Sequence, residues 1–380
     1  MIDQRPIYLD CNATTPLEPR VKEIMLHYME EEFGNPGSRT HIYGQNAAKA
    51  VNRAREQIAA VVDVAPEEVI FTSGATEANN LAILGLAEYG ERTGKKHIIS
   101  TQIEHKAVLE PLELLEKQGF EVELVPPTEG GYVEPEEIGH RLRDDTLLVS
   151  VMHVNNETGI IQPLPEICEE LRNHDAFFHV DAAQGFGKEL TFLPNPRIDM
   201  ISASAHKVHG PVGVGSLIVR KTRKAPRALR PRQVGGGQER GLRSGTIPTF
   251  LVAGFGEAAK LALEENEDRI KHWRKIEGQM KSALDQLPVV FHGDESRKLA
   301  NTLNFSIGNI DSEAVIIALR QKAAIASGSA CTSSKVEPSH VILSMYGANN
   351  YGNTACRASW SHLTPLMQVQ DTKSVLNKLL

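Results

Sequence analysis

Val69-Ile70-Phe71-Thr72-Ser73-Gly74-Ala75-Thr76-Glu77 decides the fold. An apolar, β-branched strand over Val69 to Thr72 runs into a Ser-Gly turn, and a helical pattern follows over Glu77 to Tyr89. The same unit recurs along the chain. A helix is expected over Ala47 to Val62, ahead of that strand. After it come strand His97 to Ser100, helix Lys106 to Gln118 and strand Glu121 to Val125. Strand Leu147 to His153, helix Leu164 to His174, and strands Phe177 to Val180 and Met200 to Ser204 continue the series. Gly210 to Arg220 reads as a turn into a further strand, and Lys221 to Pro231 as an exposed connection. Alternation of this kind predicts an α/β protein with a mostly parallel, helix-covered sheet. Phe250 to Leu284 reads as one or two long helices, and the remainder from Val289 as a smaller α+β unit.

Composition narrows the class. The 380 residues are long enough for two domains. A hydrophobic content of 41% with 23% charged residues is that of an ordinary globular protein. A formal net charge of −7 argues against a dedicated nucleic-acid binder, and no direct nucleic-acid binding is expected. No leader pattern opens the chain, and no apolar run reaches the ~20 residues of a membrane span. Four cysteines, at 11, 168, 331 and 356, are too sparse for a disulfide scaffold and lack zinc-site spacing. A cytoplasmic location is expected, where a reactive thiol stays reduced.

Four stretches carry chemistry. Phe71 to Glu77 places free amides and hydroxyls at a helix start, which suits a phosphate, although the same residues cap ordinary helices. His179-Val180-Asp181-Ala182-Ala183-Gln184 ends an apolar strand in an acid, where ligands of open α/β sheets gather. Such an acid suits a protonated pyridine nitrogen, and equally a helix cap or a surface ion pair. Ser202-Ala203-Ser204-Ala205-His206-Lys207 ends a strand in a lysine able to form a Schiff base, with Ser204 and His206 in reach of a phosphate. Taken alone, a lysine is usually solvated surface. Ser327-Gly328-Ser329-Ala330-Cys331-Thr332-Ser333-Ser334 surrounds one cysteine with small and hydroxylated residues. Free cysteines are usually buried, but this neighbourhood suits a loop presenting a thiol.

In this order the four stretches resemble the cysteine desulfurases of the NifS/IscS type, within the class V aminotransferase group. The resemblance runs almost end to end. It takes in Tyr8-Leu9-Asp10, Asn12-Ala13-Thr14-Thr15, Gly34-Asn35-Pro36-Gly37-Ser38 and Thr101-Gln102-Ile103-Glu104-His105-Lys106. It continues through Met152-His153-Val154-Asn155-Asn156-Glu157-Thr158-Gly159 and Arg240-Gly241-Leu242-Arg243-Ser244-Gly245-Thr246. The form of the Cys331 loop is similar to that of the members with a long active-site segment. DNA-phosphorothioation (DndA-like) members belong to the same group.

The resemblance implies the fold type I of pyridoxal-phosphate (PLP) transferases, with a seven-stranded sheet in a large domain. The large domain would span 16–260. A small domain of 1–15 and 261–380 would carry the cysteine loop at about 326–338. It implies Lys207 as the Schiff-base lysine, Asp181 at the pyridine nitrogen, Gln184 at the phenolic oxygen and His105 on the ring face. Ala75 (through its backbone), Thr76, Ser204 and His206 would hold the phosphate. Thr246 would reach the cofactor of the neighbouring subunit in a homodimer. Asn156 and Arg357 would hold the substrate carboxylate, Cys331 would be the nucleophile, and no metal is expected. The implied reaction takes sulfur from L-cysteine, leaving L-alanine and a persulfide on Cys331 for an acceptor protein. Iron–sulfur assembly, tRNA thiolation and DNA phosphorothioation are the candidate destinations. A selenocysteine lyase, another class V aminotransferase, or a scaffold that only docks acceptors are the competing expectations. Three departures stand out from the family pattern: Ala205 before His206-Lys207, Cys11 in the N-terminal motif, and Trp360-Ser361 after Arg357.

Overall fold

The structure is a computed structural model and describes residues 5–221, 225–327, 338–348 and 351–366. Its strands, in chain order, begin with β1 (Ile7–Tyr8), β2 (Val69–Thr72), β3 (His97–Thr101), β4 (Glu121–Val125) and β5 (Thr146–Met152). They continue with β6 (Phe177–Asp181), β7 (Met200–Ser204), β8 (Gly215–Val219) and β9 (Val289–Phe291). The last are β10 (Thr302–Ile307), β11 (Ala323–Ala324), β12 (Ala326–Ser327) and β13 (Cys356–Ser359).

Seven strands form one sheet in the order β2-β8-β7-β6-β5-β3-β4. All neighbours are parallel except β8, which runs antiparallel to both β2 and β7. Six of these strands are buried on both faces and are mostly apolar, whereas the edge strand β4 is partly exposed and carries Glu121 and Glu123. Successive side chains alternate between two cores: Phe178 and Val180 of β6 join one face, and Phe177 the other. Because β8 is reversed twice over, β2 points the same way as β3, β5, β6 and β7. Their C-terminal ends therefore open on a single edge, the place where open α/β sheets bind ligands.

A second, four-stranded sheet has the order β12-β13-β10-β9, with every pair antiparallel. It packs on the helix Asn266–Leu284 through Trp273, Ile276, Met280, Leu303, Phe305 and Trp360. The N-terminal strand β1 joins this unit by pairing parallel with β11. Among the described residues, no helix is long and apolar enough to cross a membrane.

Two expectations need correction. The helix expected over Glu77 to Tyr89 is two helices, Ala75–Leu84 and Ala87–Thr93. Between them the Gly85 carbonyl accepts from the Arg230 amide (2.9 Å). A β-carbon at Gly85 would lie 2.2 Å from the Leu81 carbonyl oxygen and 3.0 Å from that of Arg230. The incoming chain is the segment from Lys221 to Pro231, which is not simply an exposed connection. It contains a helical turn, Ala225–Ala228, and Ala225, Ala228 and Leu229 are buried with Leu84 and Leu86. The sequence also gave no sign of the helix Pro19–Glu30, which proline at its first position starts.

Candidate active site

At the shared strand edge a cavity of about 320 Å³ opens, walled by Gly74, Ala75, Thr76, His105, Asn156, Asp181, Gln184, Ser204, His206 and Lys207. Its floor begins with the β2 turn. Gly74, with φ 156° and ψ 180°, takes a conformation that only glycine adopts readily, and it starts the helix Ala75–Leu84 without any side-chain cap. The amides of that helix's first turn are left for another acceptor, with the positive end of the helix dipole behind them. Gly215 makes the cradle fit. A β-carbon there would lie 2.7 Å from the Gly74 Cα and 2.4 Å from the Ala203 carbonyl oxygen. The Ser73 amide donates to Glu77 (2.7 Å), whose carboxylate is also bound by Arg243 (2.8 Å).

Asp181 closes β6 and is almost wholly buried. Its Oδ2 accepts from Asn79 Nδ2 (2.7 Å) and its Oδ1 from the Ala183 amide (2.9 Å). One oxygen thus caps the turn that follows β6 and the other is held by Asn79, with the carboxylate in the cavity wall. Asn79 lies one helical turn beyond Ala75 and lines the same cavity. Its own Oδ1 is buried and has no partner among the described residues.

Lys207 ends the short turn Ala205–Lys207 after β7. Its Nζ donates to the carbonyl oxygens of Asn12 (2.5 Å) and Ala13 (2.8 Å). Gln184 Nε2 donates to the same Asn12 carbonyl (2.8 Å). His105 starts the helix Lys106–Glu116, and its Nδ1 accepts from the Ala107 amide (3.0 Å), which leaves the ring proton on Nε2. Burial pushes the His105 pKa down, while Asp181 pulls it up and Lys207 opposes it. His206 is driven down to about 4 by burial, then by Lys207 and Lys188. Both shifts favour the neutral imidazole.

Not every expected residue is in the cavity wall. Arg357, on β13, is fully buried behind it. Its Nη2 donates to Asp10 (2.7 Å), its Nη1 donates to the Asn156 carbonyl (3.1 Å), and its Nε has no partner among the described residues. Thr246 lines a different hollow of about 340 Å³, with Gly37, Arg55 and Glu239. Cys331 lies outside the described residues; Ser327 and Pro338 are the described residues on either side of it. The residues that sequence reasoning missed are Asn12, Asn79 and Lys188. Asn79 had a signal, its spacing from Ala75. Asn12 acts through its backbone, which no side-chain pattern reveals.

Residues 7–371 match the family described as Aminotransferase class-V. Over 371 residues the chain is 43% identical to a cysteine desulfurase IscS of Neisseria meningitidis, covering 97% of this chain and 91% of that one. The chain belongs to the class-V aminotransferase family. A solved NifS-like protein superposes on this family member with a TM-score of 0.91 at 35% identity, covering 99% and 100% of the two chains. DndA from Streptomyces lividans does so with a TM-score of 0.81 at 45% identity, covering 92% and 98%. The cofactor of this class-V aminotransferase is PLP. The residues present suit it: an uncapped helix start shaped by Gly74 and Gly215 for the phosphate, a buried carboxylate for the ring nitrogen, and an amine in the same cavity wall.

Proposed function

We propose that this chain is a cysteine desulfurase in which Lys207 holds PLP and Cys331 takes the sulfur of L-cysteine. The observation that carries this reading is the convergence of Lys207, Asp181, His105 and the uncapped helix start on one cavity. Ala75, Thr76, Ser204 and His206 hold the phosphate, Asp181 the ring nitrogen, Gln184 the phenolic oxygen, and His105 covers the ring. When bound, the cofactor supplies an electron sink that acidifies the Cα–H of an amino acid. Lys207 Nζ, between two carbonyl acceptors, is placed to take that proton. His105 Nε2 holds a proton toward the substrate, and Asn156 with Arg357 orients its carboxylate. Arg357 reaches this role by exchanging Asp10 for the substrate's carboxylate, the bidentate exchange that a guanidinium suits.

The net reaction is L-cysteine plus the Cys331 thiol giving L-alanine plus a persulfide on Cys331. One C–S bond breaks and one S–S bond forms, and the thiol's proton is balanced by the proton gained at the alanine methyl group. The other cysteines are poor candidates. Cys11, Cys168 and Cys356 are buried, and burial pushes each thiol up to about 12. At physiological pH they hold almost no thiolate, the form that attacks sulfur.

The enzyme works as a homodimer in the cytoplasm, and passes its sulfur to an acceptor protein in iron–sulfur assembly, tRNA thiolation or DNA phosphorothioation. The separate hollow at Thr246, and exposed Phe33, Ile42, Tyr43 and Val234, support a second copy covering that face. The separate apolar core around the four-stranded sheet supports a small domain of 1–15 and 261–380 beside a large one of 16–260. The reading is tested by Cys331→Ser. The variant is expected to bind PLP and L-cysteine with the wild-type absorbance change and to form no alanine beyond the background. Alanine formation at the wild-type rate would refute it, and would favour a lyase that needs no loop thiol.

A further inference from the structure

Behind Gln184, away from the cavity, lies a second lysine that the mechanism above does not use. Lys188 follows Gln184 by four residues and is buried. Its Nζ donates to Gln184 Oε1 (3.1 Å), Gln184 Nε2 donates to the Asn12 carbonyl (2.8 Å), and Lys207 Nζ donates to that same oxygen. Two amines, Lys188 buried and Lys207 half-buried in the cavity wall, thus hang from the two ends of one three-link bridge. The position is built, since the turn that carries it tolerates little change. A β-carbon at Gly185 would lie 1.9 Å from His153 Nδ1, and Gly187 has φ 69°.

We propose that Lys188 is a positioning residue that acts on Lys207 through the Gln184–Asn12 bridge, competing with it for positive charge and so keeping the Lys207 nitrogen short of a proton. The inference rests on the assignment of Lys207 as the cofactor-holding lysine. Two amines so coupled do not both carry a charge comfortably, and a neighbouring cation is one of the ways a protein lowers an amine's basicity. Burial, and then Lys207, brings Lys188 itself down to about 7. The surrounding groups do not neutralise it. From the N-terminal segment the thiol of Cys11 faces it, and from the turn after β7 His206 and His209 feel its charge. On its far side is a cavity of about 390 Å³ whose acids are engaged elsewhere. Glu189 is bound by His153, Glu277 by Lys281 and Lys298, and Glu295 by Lys281, while Arg274 adds another cation to the wall.

The test is a pH titration of the cofactor absorbance in the PLP-loaded wild type, Lys188→Met and Lys188→Arg. The expected midpoint moves up by about one pH unit or more in Lys188→Met, and stays at or below the wild-type value in Lys188→Arg, which keeps a fixed cation. A residue needed only for packing would leave the midpoint in place. Equal midpoints in the three proteins would overturn the proposal while leaving Lys207 in its role. A wild-type protein that takes up no PLP would overturn both. If Lys188→Met does not fold, Lys188→Gln takes its place: a midpoint above wild type supports the charge, and an unchanged midpoint overturns the proposal.

Discussion

Replacing Glu239 should cost this fold several kcal/mol, roughly that of a broken buried ion pair. Its carboxylate is buried and accepts from Arg55 Nη1 (2.8 Å), Arg55 Nη2 and the Phe71 amide (2.7 Å). It thereby ties the segment 237–246, which carries Arg243 and Thr246, to strand β2 below the proposed phosphate seat. Glu239 and Arg240 also both have positive φ, 49° and 57°, so the turn depends on its anchors. Glu239→Ala leaves the buried Arg55 guanidinium uncompensated, a loss of about 3–5 kcal/mol. The Phe71 amide loses its acceptor as well, for about 1–3 kcal/mol more. Glu239→Gln keeps an acceptor for Phe71 and should lose only the first contribution. Arg55→Met with Glu239→Gln removes both charges and is expected to be less destabilised than Glu239→Gln alone. Urea unfolding followed by circular dichroism, on all four proteins, gives the comparison. A double variant less stable than Glu239→Gln alone would refute the view that an unpaired buried charge is what costs.

Further outcomes are expected. Asn79→Ala removes the side-chain donor to Asp181 Oδ2, a hydrogen bond to a charged group worth about 1.5–3 kcal/mol. That bond is present without the cofactor, so the loss should appear as a lower urea midpoint of the protein without PLP, and an unchanged midpoint would contradict the value given to this hydrogen bond. Glu104 has one oxygen held by Thr101 and the Met152 amide and a second that is buried without a partner among the described residues. Burial pushes its carboxyl up to about 8 from a usual value of 4.5. The native state then keeps a proton that the unfolded chain releases, so this group's contribution is full below that usual value and is lost as pH rises through about 8. Glu104→Gln, neutral at every pH, should gain on wild type in urea midpoint as pH rises through that window. Parallel pH curves for the two proteins would contradict the assignment.

The strands were the most legible elements because six of the seven in the large sheet are buried on both faces and read as short, mostly apolar runs, and the edge strand β4 alternates Glu with apolar residues. Val69–Thr72, Glu121–Val125 and Met200–Ser204 have the ends expected of them. Helix ends were less legible. The break at Gly85 depends on the Arg230 amide arriving from 145 residues further along the chain, which no local pattern encodes. Ala225, Ala228 and Leu229 were hidden in a charged, proline-containing stretch, where a single buried turn leaves no periodicity to detect. In the site, Asp181 ends the apolar strand β6 and Lys207 follows β7 by one short turn, so the positions of both at the ligand edge were legible. Arg357 was placed near Asn156 from the family likeness, but its ion pair with Asp10 comes from the meeting of β13 with the N-terminal segment. Lys188 had no signal at all: a lysine after Gly-Phe-Gly reads as surface until the turn folds it inward.

The central claim is that one thiol, that of Cys331, receives sulfur from L-cysteine. Its most direct test is peptide mass spectrometry of the PLP-loaded protein, alkylated after a brief exposure to L-cysteine, with alanine measured in the same sample. The expected result is a Cys331 peptide heavier by one sulfur atom, in step with one alanine formed per sulfur bound. Sulfur on Cys11, Cys168 or Cys356 instead, or alanine formed while Cys331 stays unmodified, would contradict it.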